Sequence, residues 1–534
     1  MELPESEQRV VLASAFAPED GATPDTAGID PRQFTGWRRP AALALKGGLD
    51  PGELLASLAP EQQREIFAVS PDDGHAPPLT GLDLVAHPTE TTLARAFLAR
   101  HGADVRYCAE LGGWLCWSGK RWEPNPQGLV ERWMAGAVAG LYTLAGAVDD
   151  MDDRKTAIRF ALGCEGATRQ ANALTLAWPE VATAPEAFDA DPMVLNCANG
   201  ILNLATGELA PHRPDALCTK LAPVKYDPDA HDPLFDRFLA ETTGGDAELA
   251  NYLQRAAGYS LTGLTDEECF FLVLGPAASG KSSFVEALLA TLGDYAVKAS
   301  FDSFLKQTNV GQARPDIARL RGARFVAAVE SDKARRLDED VVKDLTGGDT
   351  ITARYLYAKE FQFVPACKLW LAANDSPRLT DTDSGIWRRL KRIPFEREVP
   401  ADRRDPRVKN HLRGKGREAL LAWAVRGCLA WQREGLGGCG LVARRTAELR
   451  AEMDPLAEFI ATCCVLGADK WIDAQELRVA YETWTKEAGG KPVSGRDWGR
   501  RLEAHGGTRR RERHGAGTQK TVWHGIGLLE APEI

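Results

Sequence analysis

An α/β protein built on a parallel sheet, with an α+β region ahead of it and a helix-and-strand unit behind it, is the fold class the sequence predicts. Two observations carry that prediction. The apolar run Cys269–Leu274 passes directly into Gly275-Pro276-Ala277-Ala278-Ser279-Gly280-Lys281-Ser282 and then into the helical stretch Ser283–Leu292, so strand, glycine loop and helix stand in register. From there to about Phe395 strand-like and helix-like segments alternate, as a parallel sheet with covering helices requires.

The composition sets the outer limits. The chain has 534 residues, of which 44% are hydrophobic and 26% charged, the balance of a soluble globular protein with about three or four domains. No apolar run approaches the roughly 20 residues needed to cross a bilayer. The start, MELPESEQRV, lacks the basic residues and apolar core of a signal peptide. A cytoplasmic protein with no membrane contact is expected. The eleven cysteines are scattered singly except for Cys463 and Cys464, with no C-x-x-C pair. That spacing supports neither a zinc site nor a disulfide framework, and they are read as reduced packing residues. The net charge of −10 argues against nucleic acid until its placement is considered. Between Arg496 and Lys520 stand Arg500, Arg501, Arg509, Arg510, Arg511 and Arg513 against Asp497, Glu503 and Glu512. A local basic face matters more for phosphate than the total.

Along the chain, residues 1–80 are rich in Ala, Pro, Asp and Gly and read as a mostly flexible segment, with short helices around Asp50–Phe67. Thr91–His101, Val130–Leu144 and Lys155–Phe160 have helical patterns; Arg106–Pro124 reads as a hairpin turning at Gly112-Gly113 and Gly119. Met193–His212 suggests another small sheet, and Ala247–Gly258 a helix leading into the strand at 269. Arg417–Arg433 is an amphipathic helix, followed by the break Gly435–Gly440 and a last unit from about Asp454. That unit reads as a winged helix: helices over Asp473–Ala488 and Ser494–His505, then two strands over Thr508–Leu529, with Ser494 as an N-cap. Its basic second helix and strand pair, with Arg509, Arg510 and Arg511, suit duplex DNA, against the plainer reading of a solvated face.

The loop after Leu274 fits G-x-x-x-x-G-K-[ST], and Gly275 to Ser283 form the expected nucleotide-binding set: Gly275, Pro276, Ala277, Ala278, Ser279, Gly280, Lys281, Ser282 and Ser283. Glycines let backbone N–H groups close around phosphates, and the helix N-terminus adds a favourable dipole. Lys281 would neutralise the β/γ-phosphates of ATP and Ser282 would coordinate Mg²⁺. Phe325–Val329 is a second buried strand ending in Glu330, placed to hold the Mg²⁺ or polarise water, with Asp332 as a possible helper. Lys368–Ala373 is a third, ending in Asn374, an amide that would sense the γ-phosphate or simply form a turn. Ile351–Pro365 alternates as a β-hairpin with its tip near Tyr357–Glu360.

The stretch Val329–Phe395 resembles the superfamily 3 helicase core of the phage/plasmid primase–helicase family, which includes poxvirus relatives. The matching elements are LTGGD (Leu345–Asp349), ITARYLY (Ile351–Tyr357), FVP (Phe363–Pro365), the strand ending in Asn374 and WRRLKRIPF (Trp387–Phe395). Leu195–His212 and Leu253–Gly263 resemble the region preceding that core, so the likeness runs from about Leu82 to Leu528. It implies an AAA+-like P-loop core with flanking helices over 236–440, an α+β N-terminal collar over 81–235 and the winged helix over 454–534. It also implies an ATP-dependent helicase in replication of a phage, plasmid or integrated element, with 3′ to 5′ travel. Lys281 and Ser282 match the P-loop pair, Glu330 the metal-side acid and Asn374 the sensor. Arg388 is similar in position to the arginine finger, with Arg389 a close second; a finger acting on its neighbour implies a homo-oligomeric ring, usually a hexamer. The hairpin would line the channel, Lys359 on the phosphates of single-stranded DNA and Tyr355 or Tyr357 stacked on it or packed in the hairpin. Against the family pattern, the 80 irregular residues ahead of the likeness show no carboxylate cluster or zinc-ligand set, so no primase activity is expected of this polypeptide, the primase being either encoded separately or lost. An ATP-dependent DNA-binding regulator or loader, and a duplex translocase, are the alternative functions.

Overall fold

The computed structural model describes residues 79–306, 314–329, 336–355, 359–377, 379, 384–487, 492–514 and 518–529. They belong to two compact units, one formed by the chain up to Ala103 with 128–181 and one by 104–127 with 182 onward.

The first unit is helical, with α1 (Gly81–Ala86), α2 (Glu90–His101), α3 (Leu129–Gly146), α4 (Met151–Gly163) and α5 (Ala167–Ala177). Short polar side chains start two of these helices: Asp150 accepts from the N–H groups of Asp152 and Asp153 at α4, and Thr80 and Asp83 form a reciprocal capping box at α1. The buried positions Val130, Met134, Val138, Leu141 and Ala145 recur at helical spacing along α3.

The second unit opens with β1 (Val105–Cys108), β2 (Gly113–Trp117) and β3 (Trp122–Pro124), a three-stranded antiparallel sheet. The expected hairpin therefore gains a strand. Gly112, Gly113 and Gly119, with φ of 97°, 97° and 88°, make its turns in a region that side chains disfavour. A second antiparallel sheet follows: β4 (Val194–Cys197), β5 (Gly200–Asn203) and β6 (Glu208–Ala210). The α+β region expected over 81–235 is thus divided. Its helices bury their stripes in the first unit, whereas Leu195, Cys197, Leu202 and Leu204 are buried in the same core as the central sheet of the second.

Helices α6 (Pro233–Thr243) and α7 (Ala247–Tyr259) lead to that central layer. It runs β7 (Phe270–Leu274), α8 (Lys281–Leu292), β8 (Ala296–Ala299), α9 (Pro315–Ala318), β9 (Phe325–Val329), α10 (Glu339–Thr346), β10 (Ile351–Arg354), β11 (Glu360–Phe363), β12 (Lys368–Ala373), α11 (Ser384–Arg389) and β13 (Leu390–Pro394). Five strands pair in the order β13-β7-β12-β9-β8, every pair parallel. Both faces are covered: Phe271, Val273, Phe325, Ala327, Trp370 and Ala372 belong to one core, and Phe270, Leu272, Leu274, Val326, Ala328, Leu369 and Leu371 to the other. Burial on both sides is why these strands read as unbroken apolar runs instead of alternating ones. Trp370 anchors the first core, donating from Nε1 to Ser260 Oγ at 3.0 Å with its ring 4.5 Å from Phe271.

After β13 come α12 (Arg407–Leu412), α13 (Arg417–Glu434) and α14 (Gly440–Glu452). Helix α14 was not expected; it starts on the last glycine of the predicted break. The C-terminal part contains α15 (Pro455–Cys463), β14 (Cys464–Asp473), α16 (Ala474–Glu487), α17 (Gly495–Ala504), β15 (Thr508–His514) and β16 (Thr518–Leu528). Its sheet, ordered β14-β16-β15, includes a third strand beyond the expected pair. No helix among the described residues is long and apolar enough to cross a membrane. Ten of the eleven cysteines are buried, and burial pushes the thiols of Cys197 and Cys269 up to about 12.

Candidate nucleotide and nucleic-acid sites

The loop between β7 and α8 is shaped by close backbone approaches. Gly275 lies so near the chain leaving β13 that a Cβ there would sit 1.9 Å from the Phe395 carbonyl oxygen, while the Phe395 N–H bonds Leu274 O at 2.8 Å. Ala278 and Gly280 adopt left-handed conformations, with φ of 58° and 91°. No side chain caps the first turn of α8, so its leading N–H groups form the positive end of the helix dipole. Pro276, Ala277 and Ala278 are exposed, Ser279 is buried, and Ser282 and Ser283 are half-buried.

Lys281 is the buried charge of this loop. Its Nζ donates to the carbonyls of Gly275 and Pro276, both at 2.6 Å, and to Ser279 Oγ at 3.3 Å. Burial lowers its pKa from the ordinary lysine value. Among the described residues its partners are all neutral oxygens, and an ammonium so held gains most from a nearby anion.

The strand order places other polar groups beside that loop. β12 lies between β7 and β9, with Ala373 opposite Leu274 and Ala372 opposite Val329. Asn374, the exposed residue after β12, therefore leaves the sheet next to the point where Gly275 leaves it. Glu330 and Asp332 lie outside the described residues.

Arg388 and Arg389 occupy the opposite edge. Leu390 pairs with Phe270 at the start of β7, so both arginines stand at the N-terminal end of the sheet, away from the loop of their own chain. They share Glu268 as an ion partner, at 3.0 Å for Arg388 and 3.2 Å for Arg389. Their surroundings differ. The Arg388 side chain is 71% exposed, whereas that of Arg389 is 14% exposed and also donates to Thr346 Oγ1 at 3.3 Å. Of the two, Arg388 is the one whose side chain lies at the surface.

β10 and β11 form the expected antiparallel hairpin, with Ile351 opposite Phe363 and Arg354 opposite Glu360. Lys359 is exposed just before β11. Tyr357 lies outside the described residues. Tyr355 packs within the hairpin: its ring stacks on Phe361 with centroids 5.3 Å apart, and its hydroxyl donates to Ala318 O at 3.1 Å.

In the C-terminal part, Arg509, Arg510 and Arg511 are exposed on β15, an edge strand paired through β16 to β14. Ser494 caps α17 by accepting from the Asp497 N–H. Arg501, counted in the basic face, is instead committed inward. It bonds Asp454 at 2.7 Å, as His505 does at 2.9 Å. Burial raises the Asp454 pKa, but His505, the Leu456 N–H and Arg501 together hold it below the usual carboxylate value. The Asp454-Pro455 pair, a helix-start signal, was the one trace of this cluster in the sequence.

Comparison with known proteins adds kinship to this geometry. The family described as D5 N terminal like matches residues 94–244, and a family of unknown function (DUF5906) matches residues 273–389. The "Putative helicase L207/L206" of Acanthamoeba polyphaga mimivirus is 27% identical over 323 residues, 56% of this chain and 33% of that protein. The "Putative primase C962R" of African swine fever virus (isolate Tick/Malawi/Lil 20-1/1983) is 25% identical over 217 residues, 39% of this chain and 22% of that protein. The chain thus spans a third or less of the length of these curated relatives. A solved structure, the A form apo structure of NrS-1 C terminal region-CTR(305-718), aligns with a TM-score of 0.43 at 12% identity, covering 82% of this chain and all of that one. The matched N-terminal domain and the helicase- and primase-named viral relatives support a D5-like primase–helicase family for this chain.

Proposed function

We propose that this chain is an ATP-driven, ring-forming DNA helicase of superfamily 3 type, acting in replication of a phage, plasmid or integrated element. The observation that carries the proposal is the joint position of Lys281 and Asn374 at the C-terminal edges of adjacent parallel strands. The residues fit a triphosphate: the backbone at Ala278 and Gly280 is already left-handed, α8 starts uncapped, and the Lys281 ammonium is poorly balanced. Lys281 would hold the β/γ-phosphates, within a loop built from Gly275 to Ser283. Ser282 and Glu330 would hold Mg²⁺, whose charge would neutralise the phosphates. Asn374 would orient against the γ-phosphate.

Arg388 would act on the ATP of a neighbouring copy, because its own loop lies across the sheet from it; that need makes the active form a ring, expected to be hexameric. Lys359 would grip single-stranded DNA and Arg509–Arg511 the duplex, with the C-terminal part serving as a winged helix.

Unwinding of a forked duplex by the purified chain with ATP and Mg²⁺ tests the reading. Strand separation is expected, abolished by Lys281→Ala, while Glu330→Gln binds ATP without turning it over. Tight DNA binding and ATP hydrolysis with no separated strand would sink the helicase reading. Normal turnover by Lys281→Ala would sink the site itself.

A further inference from the structure

The hairpin does not stand alone on its side of the molecule. Its strands sort by the two-residue period of a sheet. Ile351, Ala353, Tyr355, Phe361 and Phe363 line one face, with Ala353 and Phe363 buried; Thr352, Arg354, Glu360 and Gln362 take the other, exposed face. The apolar face meets the turn that links α9 to β9. There the Tyr355 hydroxyl bonds Ala318 O, and the Arg321 guanidinium lies 5.3 Å from the centroid of the Phe361 ring.

That turn is built to hold two arginines outward. Ile317, Ala318 and Leu320 are buried at 5%, 0% and 1% exposure, while Arg319 and Arg321 between and beyond them are exposed. Backbone bonds lock the turn: Arg319 N–H to Pro315 O, Leu320 N–H to Ile317 O, Arg321 N–H to Ala318 O and Ala323 N–H to Leu320 O. Gly322, at φ 69°, then reverses the chain into β9. Neither arginine takes part in an ion pair among the described residues. Arg319 and Arg321, exposed on the turn that contacts Tyr355 and Phe361, with Tyr355 43% exposed and Lys359 exposed beside the same hairpin, combine cations with an aromatic ring as single-strand tracks do. Glu360 and its partner Arg354 lie on the opposite face of the hairpin.

We infer that Arg319 and Arg321 extend the hairpin's grip into a track for the sugar-phosphate backbone of single-stranded nucleic acid. The inference rests on the proposed function, since it needs a strand passing the hairpin. It adds a second element, the α9–β9 turn, whose backbone is fixed by its own hydrogen bonds before a strand arrives.

The test is the salt dependence of binding to a fluorescent oligo-dT strand, read by anisotropy with the full chain. Arg319→Gln and Arg321→Gln are each expected to lower the slope of log K against log salt by about 0.7, and Arg321→Lys to keep it. Thermal melting of each variant separates lost contact from lost bracing of Phe361. An unchanged slope in either Gln variant removes that arginine from the track. An unchanged slope together with loss of ring assembly would mean the turn meets another copy of the chain, and overturns the inference. If the wild-type chain binds and Lys359→Ala lowers its slope while both Gln variants do not, only this extension fails. If the wild-type chain shows no salt-dependent binding, the proposed function fails first.

Discussion

At the C-terminal ends of β7 and β12 the chain leaves the central sheet into exposed polar positions, Pro276–Ala278 and Asn374. At the N-terminal ends of β9 and β12 it enters the sheet on buried cations. Arg324 precedes β9 at 4% exposure, donating to Leu261 O at 3.0 Å and Asp191 O at 3.1 Å, with its guanidinium 4.7 Å from the Tyr295 ring centroid. Lys368 begins β12 at 1% exposure, donating to the carbonyls of Thr262, Leu264 and Ala366. Both edges therefore hold cations against carbonyl oxygens. The difference lies in their partners and not in the cations' own burial: Lys281 is itself 6% exposed but bonds the carbonyls of a loop whose Pro276–Ala278 are exposed, whereas Arg324 and Lys368 tie together separate chain segments at the foot of the sheet. Arg388 shares their edge but, at 71% exposure, not their burial.

Three substitutions can break or sharpen this contrast. The largest effect is expected at Arg388. Arginine fingers contribute about 10³–10⁵ in rate, so Arg388→Ala should lose that much ATPase activity while melting near the wild type. Mixing it with Lys281→Ala should restore part of the activity, because some interfaces then pair an intact loop with an intact arginine. A mixture that stays inactive although both variants form rings would place Arg388 among the structural cations of its edge.

Next in size is Arg324→Met. It leaves the carbonyls of Leu261 and Asp191 without their donor, at a cost of about 2–4 kcal/mol. Chemical denaturation should register that loss, and nucleotide binding below the unfolding transition should persist. Unaltered stability would show that the sealed edge contributes nothing to holding 191 and 261 against the sheet.

The smallest effect concerns Lys368. Burial, with Arg324 nearby as a second cause, pulls its pKa down from 10.5 to about 7. Between those values the unfolded chain binds a proton that the folded chain lacks, so this group makes stability rise with pH, by at most about 1.4 kcal/mol per unit. Below about pH 7 both states are protonated and its slope vanishes. Lys368→Met should remove this contribution, so denaturation curves of the two proteins at pH 7 to 9 should diverge. Parallel curves would mean that the three carbonyls keep Lys368 charged throughout.

The reach of the sequence follows from how local each signal is. Strands β9 and β12 run over the predicted residues, because burial on both faces leaves an apolar run bounded by polar positions. The α8 start, the β10–β11 hairpin and α17 were legible for the same reason: a glycine, a two-residue alternation and a serine cap act within a few residues. Helix α14 was missed because its first residue is a glycine of the preceding break. β14 was missed because Gly467, Asp469 and Lys470 interrupt its apolar pattern where its register shifts.

What the sequence determined by itself is the set of elements and the chemistry they carry: a glycine loop with Lys281 after an apolar strand, a strand ending in Asn374 and a hairpin with Lys359. Only the tertiary structure decided their neighbours. Pairing of parallel strands joins residues far apart in the chain, so no local pattern records that β12 lies between β7 and β9 and brings Asn374 beside Gly275. The same holds for adjacent arginines: no local pattern records that Arg389 packs inward, bonding Thr346, while Arg388 stays at the surface. The division of 81–235 between two units likewise arises because burial is settled by which surfaces meet, and that is a property of the folded chain.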